Sequence, residues 1–332
     1  MVLASLILVV VLVVVFDYTN GFHDAANAIA SAVSTRALTP RAALTLAAVA
    51  NLGGALLSTD VAATIADKII EPSAGPAGLT VILAALVGAI LWNLITWYFG
   101  LPSSSSQALV GGLVGAGLAS GSAVHWMGVV GLVVIPMVIS PVIGLLGGYL
   151  LMVLVTWLLR RANPHRVERR FRVAQIFSAT SLAIGHGLQD AQKGMGIIVL
   201  ALLTTGYLDQ FEVPLWAVLL CAGSLAAGTY AGGWRIMRTL GRRIFPLRPQ
   251  HGFVAEATAS LVLYLTAFVV HAPVSTTHVM TASVMGVGST RRVSAVRWGV
   301  AREIVVAWVL TLPAAAIVAA LAYPLAALVS RG

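Results

Sequence analysis

Residues 21–27 of the chain read Gly-Phe-His-Asp-Ala-Ala-Asn, a polar motif that recurs at residues 187–193 as Gly-Leu-Gln-Asp-Ala-Gln-Lys. A second pair of motifs follows in the same order. Residues 101–107 read Leu-Pro-Ser-Ser-Ser-Ser-Gln, and residues 272–278 read Ala-Pro-Val-Ser-Thr-Thr-His. The two pairs are offset by 166 and 171 residues, so the chain is predicted to contain two homologous halves.

The composition places both halves in a membrane. Hydrophobic residues make up 59% of the 332 residues, and charged residues make up only 9%. Apolar stretches of about 18 residues or more recur along the chain, and each can cross a ~30 Å hydrocarbon core as a helix. We therefore predict an all-α polytopic protein of the cell membrane with about 10 to 12 membrane segments.

The two halves are predicted to be inverted-topology repeats. We expect a first repeat at residues 1–160, a basic cytoplasmic linker at residues 161–173 and a second repeat at residues 174–332. Each half contains an odd number of predicted crossings, so the second would be inserted upside down relative to the first. This layout is typical of secondary transporters, in which broken helices meet at a substrate site near the bilayer midplane.

Two kinds of irregular segment are expected within the repeats. The polar motifs predict that the first helix is broken near residues 17–24 and that its counterpart is broken near Asp190. The runs at 102–120 and 273–288 are short and begin with polar residues. These runs either span the membrane or form re-entrant hairpins, and both alternatives remain open.

The distribution of basic residues predicts the orientation. Four loops between apolar runs hold 17 of the 20 Lys and Arg residues. With ten predicted crossings and both termini outside, all four loops face the cytoplasm, as the positive-inside rule expects. We interpret the formal net charge of +9 as an orientation signal with some contact to anionic lipid, and not as a sign of nucleic-acid binding.

Asp24 and Asp190 occupy matching positions inside predicted membrane helices. An ionised carboxylate in a membrane helix costs a few kcal/mol on insertion scales, so both residues need an explanation. In the structural alternative, Asp190 pairs with Lys193 and Asp24 caps a half-helix. In the functional alternative, which the repetition favours, both carboxylates line a central cavity.

The hydroxyl-rich motifs indicate an anion site. Pro102 and Pro273 each precede a cluster of hydroxyl side chains at a predicted helix start, where backbone N–H groups lack intrahelical partners. The positive end of the helix dipole also favours anions, so a tetrahedral oxyanion could be held by both turns, although capping and packing would equally use such residues. The candidate anion ligands are Ser103, Ser104, Ser105, Ser106, Ser275, Thr276 and Thr277.

Carboxylates beside an oxyanion site imply co-transport of a cation. The two aspartates would repel the anion unless a proton or metal cation neutralises them, which is the condition for symport. A sodium ion would use oxygen ligands, whereas a proton needs only a titratable group. The candidates for the coupling ion or proton are Asp24, Asn27, Asp190, His23 and Gln189, with His278, Lys193 and His186 as further proton or charge partners.

With these motifs, nearly the whole chain resembles the inorganic phosphate transporter (PiT) family, particularly its bacterial low-affinity members. The resemblance implies a phosphate symporter with an inverted-repeat transport core, and it implies that the protein forms a homodimer. It also implies that Asp24, Asn27 and Asp190 bind the coupling ion or substrate, and that the Ser/Thr turns contact phosphate. The segments that carry the resemblance are 20–28, 35–38, 102–106, 187–194 and 273–278.

Departures from the family pattern affect the expected coupling ion. Gln189 and Gln107 stand where family members commonly carry Asn and His. The sequence Phe22-His23-Asp24 is similar to that of bacterial members that look proton-coupled and can take phosphate complexed with a divalent metal. We therefore expect coupling to H⁺ in preference to Na⁺, with His278 as the histidine available at the hydroxyl turns.

Other functions remain as alternatives. A sulfate or other tetrahedral oxyanion permease would use the same cradle, and a divalent-metal carrier is a more distant third hypothesis because no compact metal-ligand spacing occurs. An intramembrane aspartyl protease is the enzyme hypothesis, but we expect Gly-x-Gly-Asp there, whereas both motifs here read Gly-x-x-Asp. We therefore predict no enzyme activity, no resident cofactor and no structural metal.

Overall fold

The computed structural model describes residues 2–331, so Met1 and Gly332, the outermost residues of the predicted repeats, lie outside the described chain. The part described is mostly helical. The helices of the first half are α1 (Val2–Ser34), α2 (Pro40–Ala55), α3 (Asp60–Lys68), α4 (Pro76–Phe99), α5 (Ser105–Ser120), α6 (Trp126–Val129) and α7 (Ile135–Leu158), with a π-helical turn at Val130–Val134.

The second half contains a matching series of helices. These are α8 (Pro164–Thr204), α9 (Leu215–Ala231), α10 (Trp234–Arg238), α11 (Pro249–Leu265), α12 (Thr276–Ser289) and α13 (Trp298–Arg331). Short π-helical turns follow α10 and α11 at Thr239–Arg243 and Thr266–Val270, and a 3₁₀ turn lies at Val293–Ala295. A two-stranded antiparallel ladder joins β1 (Ile70–Glu71) to β2 (Ala123–Val124).

The order of helices in the first half recurs in the second. Each half has a long helix with a polar centre, then a bent pair of helices, a further helix, a short helix after a hydroxyl-rich turn, and a long apolar helix. The bend between α2 and α3 is 71°, and the bend between Leu215–Ala231 and Trp234–Gly241 is 57°. This order of helices agrees with the predicted division into two repeats, which stays a prediction.

Apolar helices long enough to cross a membrane confirm the all-α membrane class. Five described helical segments meet this criterion by length and composition, and counting each bent pair as one span raises the number to seven. The helix α8 has 41 residues but a polar central segment. The predicted total of about 10 to 12 membrane segments therefore stays a prediction.

The predicted breaks near residues 17–24 and near Asp190 are wrong. Helices α1 and α8 run through both motifs without interruption. The glycines of the two motifs allow neighbouring helices to pack closely. A Cβ atom on Gly21 would lie 2.3 Å from the Leu225 carbonyl oxygen, and a Cβ atom on Gly187 would lie 2.1 Å from the Asn51 carbonyl oxygen. Because neighbouring helices supply partners to the polar side chains, the backbone hydrogen bonds can continue unbroken.

Two buried apolar clusters enclose a polar layer. Along α1, the first cluster ends at Phe16 and the second begins with Ala26. Along α8, the second cluster ends at Ala183 and the first resumes at Ala191. The two helices therefore run in opposite directions between the same clusters, and their motifs meet in the layer between them.

The hydroxyl-rich turns introduce short helices into this polar layer. Helix α4 ends at Phe99 and is capped by Gly100, whose φ of +67° lies in the left-handed region, and the turn that follows leads into α5. Helices α5 and α12 contain only 16 and 14 residues. At about 1.5 Å per residue neither would cross a ~30 Å core unaided, although re-entrant hairpins stay a prediction.

Candidate anion and coupling-ion site

The two motif aspartates meet at the centre of the molecule. Asp24 on α1 is 1% exposed, and Asp190 on α8 is fully buried. One ligand atom from each of Asp24, His186 and Asp190 lies within 4.8 Å of the other two. The chain therefore brings two buried carboxylates and a histidine into one small polar centre.

Both hydroxyl-rich turns donate hydrogen bonds to Asp24. Ser105 Oγ donates to Asp24 Oδ2 at 3.2 Å, and Thr277 Oγ1 donates to Asp24 Oδ1 at 3.2 Å. Asn27 Nδ2 in turn donates to Thr277 Oγ1 at 2.7 Å. One carboxylate thus connects a turn of the first half with the corresponding turn of the second half.

His23 extends this contact network towards α4. Its Nδ1 lies 2.8 Å from Asp24 Oδ1, and its Nε2 lies 3.1 Å from Thr96 Oγ1 and 3.3 Å from Ser103 Oγ. The hydroxyls of Thr96 and Ser103 are 2.8 Å apart. The ring therefore joins an ionisable acid to a chain of hydroxyl groups, an arrangement that can move a proton by short steps.

Asp190 has its own set of partners. Lys193 Nζ lies 2.9 Å from Asp190 Oδ1, and His186 Nε2 lies 3.2 Å from Asp190 Oδ2. Asn20 Nδ2 donates to Asp190 Oδ2 at 3.2 Å. Lys193 Nζ also donates to Ser105 Oγ at 2.9 Å, so one buried ammonium group connects Asp190 to the first hydroxyl turn.

The remaining hydroxyl residues cap the short helices or line a small cavity. Ser104 Oγ accepts from Gln107 N at 3.3 Å, and Ser275 Oγ accepts from His278 N at 3.2 Å, so each caps the helix that follows. The alternative in which such residues cap the short helices therefore agrees with the local contacts of these two serines. The cavity is lined by four polar residues of the two turns and their helices and by six apolar or proline residues; the polar ones are Ser104, Ser106, Gln107 and Ser275.

Trp308 on α13 contacts both turns. Its indole Nε1 donates to the Pro102 carbonyl at 2.9 Å. Its ring also stacks on the buried His278 ring, with centroids 4.0 Å apart and an angle of 30° between the planes. A single side chain therefore holds the turn before α5 and the first residues of α12 against the same helix.

Some predicted residues lie away from the aspartate pair. Gln189 Nε2 donates to Thr266 Oγ1 at 3.0 Å and to the Leu263 carbonyl at 3.3 Å, so this side chain points to α11 and the turn after it. Thr276 is buried at the start of α12. The structure thus brings together Asp24, Asn27, Asp190, His23, His186 and Lys193, whereas Gln189 lies on another side of α8.

Sequence reasoning missed several polar partners. Asn20 donates a hydrogen bond to Asp190, and Thr96 lies within hydrogen-bonding distance of His23. Nothing in the spacing of these two residues distinguishes them from packing residues. Glu256, which the sequence leaves without a role, is fully buried and accepts hydrogen bonds from Ser31, Ser178 and Gln175. The signal for Glu256 was available, because an acid within an apolar run has to find donors inside the protein.

The fold and the polar centre together define a multi-pass membrane carrier. Its long apolar helices surround a buried cluster of ionisable and hydroxyl side chains.

The chain belongs to the phosphate transporter family, whose model matches residues 20–319. It is 49% identical over 319 residues to a probable low-affinity inorganic phosphate transporter of Rhizobium meliloti (strain 1021), covering 95% of this chain and 94% of the relative. A protein of the same description from Bacillus subtilis (strain 168) is 43% identical, with 96% of each chain covered. These relatives are described as transporters, so the chain belongs to a family of transporters and not of enzymes.

A solved structure confirms the architecture. The structure described as "The sodium-dependent phosphate transporter" superposes with a TM-score of 0.89 at 25% sequence identity. The superposition covers 98% of this chain and 100% of that one. The helical arrangement described here is therefore that of a solved phosphate transporter.

Proposed function

We propose that the chain is a proton-driven symporter of inorganic phosphate. The observation that carries the proposal is the contact of Asp24 with one hydroxyl from each turn, Ser105 and Thr277. A phosphate held by the two turns would lie beside this carboxylate. Its charge would be tolerated only if a cation or a proton is present at the same time, because like charges at this range repel strongly in a buried site.

The antiparallel course of α1 and α8 supports an inverted repeat as the transport core. In such carriers the site lies between the repeats, and rocking of one bundle against the other exposes it alternately to each side. We infer that the polar layer between the two apolar clusters is the region around which this motion occurs. The orientation with both termini outside and the homodimeric state belong to the same proposal.

His23 favours the proton as coupling ion. It bonds to Asp24 and reaches the hydroxyls of Thr96 and Ser103, so a proton can pass along this chain without a metal ion. Sodium is the alternative, and the solved neighbour is described as a sodium-dependent transporter. In that case Asp24, Asn27 and Asp190 would supply oxygen ligands.

A metal–phosphate complex is the second candidate substrate. The close approach of Asp24, His186 and Asp190 provides two carboxylates and an imidazole around one point. A divalent cation entering with phosphate could bind there and offset the charge of the anion. This candidate predicts that phosphate uptake depends on a divalent metal and that the metal accumulates with the phosphate.

The direct test is uptake of labelled phosphate into proteoliposomes that contain the purified protein. An acid exterior without sodium should drive accumulation, and Asp24→Asn should abolish it. Asp67→Asn, the same change at an exposed acid on α3, is the matched control. Unlabelled sulfate should not compete, whereas strong competition would favour a general oxyanion permease.

Ion replacement separates the remaining alternatives. Accumulation that begins only when sodium is added would overturn proton coupling and assign Asp24 and Asn27 to a cation site. Accumulation that is lost when divalent metals are chelated would identify the complex as the substrate. Uptake of metal without phosphate would favour the divalent-metal carrier.

A further inference from the structure

Asp17 is a third buried acid in the polar layer. It lies on α1 seven residues before Asp24, about two helical turns away on nearly the same face. Its side chain is fully buried against Gly194 on α8. A Cβ atom on that glycine would lie only 2.2 Å from Asp17 Oδ2, so the glycine provides the space that the carboxyl group occupies.

Asp17 differs from the other two aspartates in its hydrogen bonding. Asp24 receives hydroxyl donors from both turns, and Asp190 has a lysine, a histidine and Asn20 beside it. Among the residues that the structure describes, neither oxygen of Asp17 accepts a hydrogen bond from a nitrogen or hydroxyl group. Its burial is therefore not compensated by the donors that an ionised carboxylate requires.

Few charged or titratable groups face Asp17 from the packed helices. Lys193 and Asp190 act on it from α8, and the buried thiol of Cys221 lies beside it on α9. Helix α4, which also packs on α1, contains no acidic, basic or histidine residue. Lys193 is already bonded to Asp190 and Ser105, so it does not neutralise Asp17 alone.

These surroundings suit a proton and not a metal ion. A sodium ion would need several oxygen ligands, whereas Asp17 packs against the Gly194 backbone and a thiol. A carboxyl group that carries a proton is neutral and can remain in such a site at much lower cost. We propose that Asp17 is a proton-binding site and carries a co-transported proton, an inference that rests on the proposed symport of phosphate with H⁺.

Lys193 connects this proton site with the phosphate site. When the O–H bond of Asp17 breaks, the proton passes to water on the releasing side and the electron pair stays on the carboxylate oxygen. The new negative charge attracts the Lys193 ammonium group away from Ser105, to which it now donates. Proton release from Asp17 would thereby weaken a contact at the hydroxyl turn and assist release of phosphate.

The test compares net accumulation with exchange in proteoliposomes. Asp17→Asn keeps the shape of the protonated acid but cannot release a proton. With the membrane potential clamped at zero, one proton fewer per phosphate should lower the accumulation ratio about tenfold at a gradient of about one pH unit. Exchange of labelled for unlabelled phosphate, which needs no net proton movement, should continue close to the wild-type rate. Asp67→Asn should change neither quantity.

The outcomes separate this inference from the proposed function. If wild-type protein accumulates phosphate with a pH gradient and Asp17→Asn does so equally, Asp17 is a static neutral acid and only this inference fails. If wild-type protein shows no proton-driven accumulation, the proposed function fails with it.

An infrared measurement keeps the inference testable if the variant does not transport at all. The wild-type spectrum at neutral pH should contain the carbonyl stretch of a protonated carboxylic acid that is missing from Asp17→Asn. The absence of such a difference would overturn the inference, because Asp17 would then be ionised.

Discussion

Gly21 on α1 and Gly228 on α9 face each other where the two helices cross. A Cβ atom on Gly21 would lie 3.0 Å from the Gly228 carbonyl carbon, and one on Gly228 would lie 2.1 Å from the Tyr18 carbonyl oxygen. Neither position can accept a side chain without moving backbone. This contact holds α1 in place at Gly21, which lies three residues before Asp24. It therefore also sets the position of the Asp24 carboxylate.

Gly228→Ala should therefore destabilise the protein. Overpacking of this kind costs about 1–3 kcal/mol, and a displaced α1 should also lower phosphate uptake. Gly223→Ala on the same helix is the matched control, since nothing lies within 4 Å of its added methyl group. Thermal unfolding in detergent should show a lower midpoint for Gly228→Ala and an equal or higher one for Gly223→Ala. Equal midpoints for the two variants would contradict the packing argument.

Asn27 and Thr277 should act as a coupled pair. Removing either side of their 2.7 Å hydrogen bond, by Asn27→Ala or Thr277→Val, leaves a buried polar group without its partner, at a cost of about 1–3 kcal/mol. The double variant should lose less activity than the sum of the single losses. The measurement is kcat/KM for phosphate in all four proteins, and strict additivity would show that the contact is unimportant in transport.

Lys193→Met should leave the buried Asp190 carboxylate without its ammonium partner, with His186 and Asn20 still beside it. Removing one partner of a buried ion pair costs about 3–5 kcal/mol, so the single variant should unfold at a much lower temperature. Asp190→Asn combined with Lys193→Met should recover most of the stability because neither charge remains. Transport should stay low in the double variant, since the Lys193 contact with Ser105 is still missing. Recovery of transport together with stability would show that the pair is only structural.

Glu256 should matter for stability through its hydrogen bonds. Glu256→Ala removes the acceptor for Ser31, Ser178 and Gln175, and each unpaired buried group costs about 1–3 kcal/mol. Glu256→Gln keeps one acceptor oxygen and should be much less destabilising. The exposed Glu212→Ala is the control. A thermal midpoint of Glu256→Ala close to that of Glu256→Gln would contradict this assignment.

The sequence predicted which segments would lie close together, but it did not predict the backbone conformation of those segments. The paired motifs predicted that Asp24, Asp190 and the hydroxyl turns share one site; the structure places these residues close together, and their common role in transport stays a prediction. The prediction of helix breaks was wrong because glycine and polar residues inside an apolar run do not always mark an interruption. A glycine can instead allow another helix to approach closely, and a polar residue can instead have a buried hydrogen-bond partner. Gly187, which lies against the backbone of Asn51, is an example of the first kind.

Partners supplied by distant helices could not be predicted from the chain alone. Glu256 on α11 depends on Ser31 of α1 and Ser178 of α8, and no local pattern links these three positions. The prediction placed Asp17 at the edge of a helix break. It therefore missed that Asp17 lies in a continuous helix, two turns before Asp24. Such contacts depend on how whole helices pack, and that packing is determined by many apolar residues together.

The double contact of Trp308 has a mechanical consequence for opening the site. Its indole is bonded to Pro102, and its ring lies on His278, so the two turns cannot separate unless one of these attachments yields. The stacked contact lacks a directional bond and can slide, whereas the hydrogen bond loses most of its strength when its angle changes. The contact of Trp308 with α12 is therefore weaker than its contact with the turn before α5. That turn should move together with α13 as a single unit.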